Sequence, residues 1–273
     1  MTQIMSKKFS VIDICRVLKL ARSSFYYHAK KKFIDIEFEQ AVIKAFKQSR
    51  NCYGTRKLKI VLAKQGFKAS RKKISEVMSK YNLISKYTKK QYRQKCSSSQ
   101  SEQLNLLGGN FNDKTKNEVL VSDVTYVRIK DKFYYLCVII DLYSRKILGF
   151  SIGNQHNADL VKRAFKSMTI DLHQVSIFHS DRGSEYVNKS IASILNSYEI
   201  MHSLSRRGNP YDNAVSESTY NIIKTEFVKR YKFLSVELFE IEWFDYLNWY
   251  NNHRIHGSIG YITPGERYDI FLV

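Results

Sequence analysis

Three carboxylates and a lysine stand at positions in the sequence where they could support phosphodiester chemistry. Asp123 lies inside an apolar strand-like run, Asp181 ends another such run, and Glu217 lies on a helix-like segment with Lys224 seven residues later. A lone buried carboxylate is costly, so Asp123 should either be neutralised or ligate a cation. Carboxylate oxygens suit Mg²⁺, and two such ions can activate an attacking oxygen and stabilise a leaving one. This set of residues therefore indicates metal-dependent cleavage or transfer of a phosphodiester.

Each acid taken alone also has an ordinary structural explanation. Asp123 fits an edge strand that faces solvent, and for this residue alone that explanation is the more common one. Asp181 fits a turn, because Asp-x-Gly sequences are frequent in turns. Ligands of α/β sheets, however, bind at the carboxyl ends of strands, where Asp181 stands. The chemical interpretation therefore depends on the acids being brought together.

The third acid belongs to a polar stripe on a helix predicted from about Asp212 to Lys229. Asn213, Glu217, Tyr220 and Lys224 recur at helical spacing, so they share one face. The stripe could be the solvent face alone. Because acid and base point the same way, it favours a metal held by Glu217 and a phosphate gripped by Lys224. Asn213 and Tyr220 are candidate supporting residues, as is His179, although a lone histidine is more often structural.

The elements needed to position these residues can be read from the hydrophobic pattern. Strands are predicted at Glu118 to Lys130, Phe133 to Asp141 and Lys146 to Ile152, and their short separations indicate an antiparallel meander. A helix from Ala158 to Leu172 leads to a strand at Val175 to Phe178, which can pair in parallel through this crossover. This order predicts an α/β fold of the ribonuclease H type, a mixed five-stranded sheet flanked by helices.

Positive charge is concentrated in the first third of the chain. Of the 45 Lys/Arg and 25 Asp/Glu, residues 1–100 contain 25 and 5, and the remainder contains 20 of each. Apolar residues at helical spacing from Ser10 to His28, and again from Leu58 to Met78, predict helix-turn-helix-like units with basic outer faces. This favours nucleic-acid binding, although a plain helical bundle with a lysine-rich surface fits the pattern nearly as well. The candidate DNA contacts in this region are Arg56, Lys57, Arg71, Lys72 and Lys73.

Three regions follow from these patterns. Residues 1–84 form a basic all-α region, residues 85–112 a polar linker, and residues 113–273 a catalytic core with a C-terminal helical extension. The four cysteines form no CxxC pair, which argues against a zinc ribbon and a disulfide framework. No run reaches the roughly 20 apolar residues that span a bilayer. We expect a soluble, intracellular protein with no membrane partner.

Three acid motifs occur in order along the chain: SDVTYV around Asp123, HSDRGSEY around Asp181, and GNPYDNAVSES leading to Glu217. The second and third acids have 35 residues between them, and Lys224 follows the glutamate by seven. In these features the sequence resembles the second-frame (OrfB) transposases of the insertion sequence 3 family, within the DDE transposases and retroviral integrases. The resemblance implies DNA cleavage and strand transfer, with the three acids as catalytic residues holding two Mg²⁺ or Mn²⁺ ions.

Other segments extend the resemblance to nearly the whole chain, namely LARSSFYY, YGTRKL, VIIDLYSRKILGF and YNNHRIHGSIGYITP. By resemblance, a structural motif beside the sheet and a C-terminal motif comprise Asp141, Ser144, Arg145, Asn251, Arg254 and His256. Arg206 and Arg207, ahead of the catalytic helix, would hold DNA strands near the metals. Lys19 stands where the family commonly has a turn glycine, and Leu120 where it commonly has tryptophan.

The resemblance also implies partners beyond DNA itself. An upstream-frame (OrfA) protein, separate or fused by frameshifting, would recognise the element's ends, and synapsis of two ends implies an oligomer on DNA. Two other functions remain open from the residues alone. One is a DNA-binding regulator with a degenerate catalytic fold, which the presence of all three acids disfavours. The other is a nuclease that cuts without joining, because the metal chemistry is shared.

Overall fold

A computed structural model describes the greater part of the chain, namely residues 9–26, 35–86, 106–107, 114–205 and 214–270. The chain divides into two compact units, residues 1–40 and 41–273. Within the described ranges, no helix has both the length and the apolar character needed to cross a membrane. The expected linker falls almost entirely outside these ranges, as do Arg206, Arg207 and Asn213, so the boundaries at 84 and 113 remain predictions.

The first unit begins with two short helices joined by a tight turn. Helix α1 (Val11–Val17) starts at Ser10, whose side chain accepts a hydrogen bond from the N–H of Asp13 as a helix cap. The turn after it places Lys19 at φ 50°, a left-handed conformation that glycine adopts without strain. Helix α2 (Arg22–Phe25) follows. The sequence feature noted at Lys19 therefore coincides with a conformation that favours glycine.

Three longer helices follow, and the first of them spans the boundary between the units. They are α3 (Ile36–Gln48), α4 (Thr55–Lys64) and α5 (Arg71–Lys80). Between α4 and α5 the chain turns at Gly66, which has φ 88°, and Ser70 caps α5 by accepting from the N–H of Lys73. The helical N-terminal region expected from the apolar spacing is present.

A mixed sheet of five strands follows the helical N-terminal region. They are β1 (Val119–Ile129), β2 (Lys132–Asp141), β3 (Ile147–Gly153), β4 (Ile177–Ser180) and β5 (Met201–Leu204). Their order across the sheet is β3-β2-β1-β4-β5. The first three strands pair antiparallel, while β4 pairs parallel to both β1 and β5. The predicted five-stranded α/β fold is confirmed.

Helices cover both faces of this sheet. They are α6 (Ala158–Lys166), α7 (Lys189–Ser197), α8 (Ala214–Ile223), a π-helical turn (Lys224–Val228), α9 (Val236–Asn252) and α10 (Pro264–Asp269). Helix α6 is shorter than predicted because the Ser167 hydroxyl bonds back to the Ala164 carbonyl while accepting from the N–H of Phe150. Strand β4 lies two residues later than predicted, so that Asp181 follows it directly.

The core lies on both sides of the sheet, and alternation along the strands decides which residues face each side. Cys137 and Ile139 of β2 face α6 and α7 in an apolar cluster. Val138 faces the opposite side with its β3 partner Phe150, whose ring lies 5.7 Å from that of Trp243. Trp243 belongs to an aromatic cluster on α9 and the π-helical turn. The sheet is therefore packed on both faces, and it forms a rigid platform for the acids.

Candidate active site

Asp123 lies at the middle of β1, where it is paired with Val138 of β2. On its other side β1 pairs with β4 only over Val119 to Val121. Beyond Val121, the edge of β1 next to Asp123 is not covered by a strand of the described sheet. The half-buried carboxylate accepts a hydrogen bond from the N–H of Val124 at 2.8 Å. Asp123 is thus held at an opening between two parallel strands.

Asp181 comes to the same edge because β4 runs parallel to β1. Val121 is aligned with His179, and Asp181 follows His179 by two residues. Its Oδ1 accepts from the N–H of Gly183 at 2.9 Å, which fixes the turn. A Cβ on Gly183 would stand 2.3 Å from the carboxylate oxygens of Glu185, so a side chain there would displace Glu185. The turn predicted from the sequence therefore also fixes the orientation of the Asp181 carboxylate.

Helix α8 is fastened to the sheet at Asp123 itself. The buried Tyr220 hydroxyl donates to the Asp123 carbonyl and accepts from the N–H of Val138, the latter at 2.7 Å. Tyr220 therefore joins both members of a cross-strand pair to the helix that carries Glu217 and Lys224. The sequence predicted that Tyr220 belongs to the polar stripe of the helix. In the structure its buried hydroxyl instead fixes the position of the helix on the sheet.

The charged groups of the site all influence the pKa of Asp123. Burial, and after it the negative charges of Asp181 and Glu217, raise the pKa of Asp123 to about 7. The N–H of Val124 and the ammonium of Lys224 oppose this rise in pKa. The fold thus brings the three predicted acids and the predicted lysine into one electrostatic group, although they come from two strands and a helix.

This donor set fits a divalent cation. Carboxylates that crowd together in partly buried surroundings cannot all ionise cheaply, and a cation between them removes the repulsion. Oxygen ligands of this kind are those that Mg²⁺ and Mn²⁺ take. Within the residues that the structure describes, no group of three His, Cys, Asp or Glu side chains is drawn together tightly enough to be a ready-made metal site. The fit therefore rests on the chemistry of the three acids and on their mutual repulsion.

The far end of the segment that carries Glu217 holds a buried carboxylate with a cationic partner. Glu226, in the π-helical turn, accepts two hydrogen bonds from the guanidinium of Arg254, at 2.7 and 2.8 Å. Both side chains are almost fully buried. Burial alone lowers the pKa of Arg254, but the charge and hydrogen bonds of Glu226 raise it well above its usual value. This pair anchors the helix two residues beyond Lys224.

The C-terminal motif continues this anchor. Asn251 makes two hydrogen bonds of 3.0 Å to the backbone of Ile147 at the start of β3. The Tyr53 hydroxyl accepts from the N–H of Ile255 at 2.8 Å and donates to the carbonyl of His253. The motif thereby connects the catalytic sheet with the segment just before α4.

The motif at the end of β2 is structural, as the resemblance implied. Asp141 is fully buried and accepts from the N–H groups of Asn117 and Ser144 at 3.1 and 2.9 Å. Burial raises its pKa, while the hydrogen bonds from Ser144 lower it. Arg145 takes a left-handed conformation with φ 66°. Asp141 therefore closes the β2–β3 turn and lies apart from Asp123, Asp181 and Glu217.

His179 also has a place within the fold. It is fully buried on β4, and its Nδ1 lies 2.9 Å from the Ser203 hydroxyl on β5. This contact joins the two parallel strands directly beneath Asp181. The supporting role predicted for His179 is thus compatible with a hydrogen bond that holds the sheet, while Asn213 lies outside the described residues.

The predicted DNA contacts separate into two groups. Arg56 and Arg71 face an open groove of about 650 Å³, and Lys72 and Lys73 are exposed beside it. Lys57 faces inward instead: burial, and then the charge of Arg254, lower its pKa to about 8. The groove is lined by Arg56, Lys59, Ile60, Ala63, Lys64, Arg71 and Tyr261. Arg206 and Arg207 lie outside the described residues.

Several residues at these sites were not predicted from the sequence. Lys59 and Lys64 lie at helical spacing from Arg56, so the wheel of α4 would have put them on the same face. Nothing local could indicate the partner of Glu226, because Arg254 is 28 residues away. Tyr261 likewise reaches the groove from a distant loop.

Comparison with known families and proteins identifies the chain. Residues 113–210 and 217–268 match two families that are each described as an integrase core domain, and residues 34–91 match an HTH-like domain. The transposase of insertion sequence IS904 from Lactococcus lactis is 32% identical over 243 residues, which are 86% of this chain and 95% of that one. The chain belongs to the insertion sequence 3 family of transposases.

Other relatives agree with this assignment. Transposase InsF of insertion sequence IS3A from Escherichia coli K12 is 29% identical, over 95% of this chain and 94% of that one. Among solved structures, a simian T-cell lymphotropic virus intasome chain aligns with a TM-score of 0.50 at 15% identity, over 85% of this chain and 75% of that chain, which supports the fold alone. The transposase is thus an enzyme with an integrase core, of a class that generally depends on divalent metal, and its HTH-like domain implies DNA binding.

Proposed function

We propose that this transposase cleaves the ends of an insertion sequence and joins them to target DNA at a centre built from Asp123, Asp181 and Glu217. One observation carries the proposal: Asp181, Glu217 and Lys224 all act electrostatically on the partly buried carboxyl group of Asp123. Such a group is unstable without a cation, and it opens at the edge between two parallel strands, where ligands of α/β sheets bind.

The three acids would hold two Mg²⁺ or Mn²⁺ ions, which would supply activation of the attacking oxygen and stabilisation of the leaving oxygen. The chain's own residues would orient the DNA around that chemistry. Lys224 would bind a phosphate next to the reacting bond, because its ammonium already lies within electrostatic reach of Asp123. Tyr220 would keep the helix at its distance from β1 through its contact with the Asp123 carbonyl.

DNA would be gripped further out by the groove on α4 and α5. Its lining contains four cationic side chains and no acidic one. A groove of this charge suits the phosphate backbone, whose binding releases counterions and is salt-dependent. We assign Arg56 and Arg71 to this contact, with Lys72 and Lys73 beside them, while the inward placement of Lys57 argues against a direct role. Arg206 and Arg207 retain their proposed role near the catalytic centre.

Further partners follow from the same function. Joining two ends of one element requires both ends in a single complex, so we propose that the transposase oligomerises on DNA. An upstream-frame protein, free or fused, would recognise the terminal sequences. The working location would be the bacterial cytoplasm, at the nucleoid where the substrate lies.

The proposal is tested by incubating purified protein with labelled insertion-sequence-end DNA and Mg²⁺ or Mn²⁺. Nicked and joined products are separated on denaturing gels for wild type, Glu217→Gln and Glu240→Gln. We expect Glu217→Gln to lose product by roughly a thousandfold, about 4 kcal/mol of transition-state stabilisation, while DNA affinity changes less than about twofold. Glu240→Gln, the same change at an exposed site on α9, should behave as wild type.

The outcomes separate the candidate functions. Joined product that persists in Glu217→Gln would remove Glu217 from the catalytic set. Metal-dependent nicks without joined strands in the wild type would identify a nuclease. Binding without any product, also after addition of an upstream-frame protein, would identify a regulator.

A further inference from the structure

Two large aromatic side chains project into solvent at the end of the β1–β2 hairpin. Tyr126 is 62% exposed and Phe133 is 56% exposed. Their rings meet edge to face, with centroids 5.6 Å apart and planes at 87°. Rings arranged in this way support one another and leave faces free for a further ring. An exposed aromatic pair on a structured hairpin is a candidate contact surface.

The pair adjoins the catalytic centre. Tyr126 follows Asp123 by three residues along β1, which is roughly 10 Å of extended chain. The ammonium of Lys224 lies 5.7 Å from the centroid of the Tyr126 ring. Lys224 is also one of the charges that act on Asp123. Lys224 is therefore within reach of both the Tyr126 ring and Asp123, although these two side chains point to opposite faces of β1 by the two-residue period.

The remaining charges around the pair are mostly cationic. Arg128 pairs across the hairpin with Phe133, and its guanidinium lies 3.5 Å from Asp131 in an exposed ion pair. The exposed residues of the hairpin turn are Lys130, Asp131 and Lys132. Aromatic faces that alternate with cations are the surface that a single nucleic-acid strand requires, because its bases stack and its phosphates are neutralised.

We propose that Tyr126 and Phe133 form a stacking platform for an unpaired base of the DNA strand that enters the catalytic centre. The inference rests on the proposed function, and it names how that site holds its substrate. Lys224 would bind the phosphate between the stacked base and the reacting bond. The platform would accept any base, because every base offers a flat face. It would therefore position a frayed or overhanging end without reading its sequence.

The test uses a 30-base-pair duplex with a three-nucleotide 3′ overhang that contains the fluorescent base 2-aminopurine, and the same duplex with a blunt end. Binding is measured in EDTA, so that no product forms. We expect wild-type protein to quench the overhang probe and to bind it more tightly than the blunt duplex. Tyr126→Leu and Phe133→Leu should each abolish the quenching and weaken overhang binding by roughly tenfold.

Two further variants isolate stacking from folding and from charge. Tyr126→Trp keeps a stacking face and should restore the quenching that Tyr126→Leu loses. Phe244→Leu is the matched control, because Phe244 is 58% exposed and also packs edge to face, against Phe150 at 5.3 Å, but on α9. It should leave overhang binding unchanged. The slope of affinity against log salt should stay the same in Tyr126→Leu and fall by about 0.9 in Lys224→Met.

Several results would overturn the platform. One is that the wild-type protein does not quench the 2-aminopurine of the overhang. A second is that Tyr126→Leu quenches it as strongly as wild type. A third is that Tyr126→Leu weakens binding of the blunt and the overhanging duplex equally. A loss of self-association in Tyr126→Leu with unchanged DNA binding would assign the pair to a protein interface instead. Because the binding assay contains no metal, a failure of the platform is distinguishable from a failure of strand transfer, which is scored separately on gels.

Discussion

The two ends of the catalytic helix treat a buried carboxylate in opposite ways. At one end, Glu217 lies near Asp123 and Asp181 of the sheet, and burial together with the charges of Asp181 and Glu217 raises the pKa of Asp123 to about 7. At the other end, Glu226 is neutralised by a bidentate contact with Arg254. The acids around Asp123 destabilise the fold as long as no cation is bound, whereas the Glu226–Arg254 pair holds the helix in place. One segment thus carries both the reactive end and its anchor.

Breaking the anchor should have the largest effect on folding. Arg254→Ala leaves Glu226 charged and buried without its partner, so we expect the free energy of unfolding to fall by about 3 to 5 kcal/mol. Chemical denaturation followed by circular dichroism measures the change. Arg128→Ala breaks an exposed ion pair with Asp131 and should cost less than about 0.5 kcal/mol. Equal losses in the two variants would contradict the anchoring role.

Neutralising the reactive end should instead stabilise the protein. An ordinary aspartate titrates near 3.8, and in the fold the pKa of Asp123 is about 7. The folded state holds this proton more tightly, so the contribution of Asp123 to stability is fully present below about pH 4 and is lost as the pH rises through about 7. Each unit of pKa corresponds to about 1.4 kcal/mol, so Asp123→Asn should gain a few kcal/mol at pH 8 in EDTA.

The control for this prediction is Asp131→Asn, because the Asp131 side chain is 96% exposed. It should match wild type at every pH. Added Mg²⁺ should raise the unfolding temperature of wild type and leave that of Asp123→Asn nearly unchanged. A gain in Asp123→Asn that is as large at pH 5 as at pH 8 would show that the stabilisation does not come from the titration of Asp123.

Loosening the contact between helix and sheet should have a smaller effect. Tyr220→Phe removes the hydroxyl that joins the Asp123 carbonyl and the N–H of Val138, which should cost about 1 to 2 kcal/mol of stability. If Tyr220 positions the metal-holding acids, the Mg²⁺ concentration for half-maximal product should rise several-fold. An unchanged metal requirement would leave Tyr220 with a structural role alone.

The smallest expected effect distinguishes two neighbouring lysines on α4. Lys57→Met removes a partly buried charge next to Arg254, so stability at pH 7 should rise by about 1 kcal/mol while DNA affinity stays within about twofold. Lys59→Met should weaken DNA binding and reduce the salt slope by about 0.9. Stability and fluorescence-anisotropy measurements check the two effects. The opposite ranking in DNA binding would restore Lys57 as a contact.

The sequence predicted those features of the fold and site that depend on residues within a single chain segment. Strand periodicity located β1 and β2, and the step from apolar residues into Asp-x-Gly located the end of β4 within two residues. The spacing of the acids and Lys224 then indicated a shared site. By contrast, Glu226 and Arg254 meet only after the chain has folded back, and no local pattern specifies such a partner.

The same dependence on tertiary contacts explains why the sequence could not distinguish Arg56 from Lys57. Arg56 and Lys57 are adjacent and equally basic in the sequence, yet adjacent residues on a helix face about 100° apart. One therefore faces the groove and the other faces Arg254. Charge counting predicted a DNA-binding region, but it could not say which cations face outward. That choice is made by the surface against which α4 packs.

The π-helical turn at Lys224–Val228 sets the rotational phase between the two ends of the catalytic helix. A π-helical turn accommodates about one residue more than an α-helical turn, so the extra residue is absorbed and the far end stays in phase with the near end. A further inserted residue would rotate the Glu226 anchor by about 100° relative to Glu217, whereas loss of one residue would leave the two nearly aligned. The segment therefore tolerates a deletion better than an insertion, as long as Lys224 and Glu226 are kept.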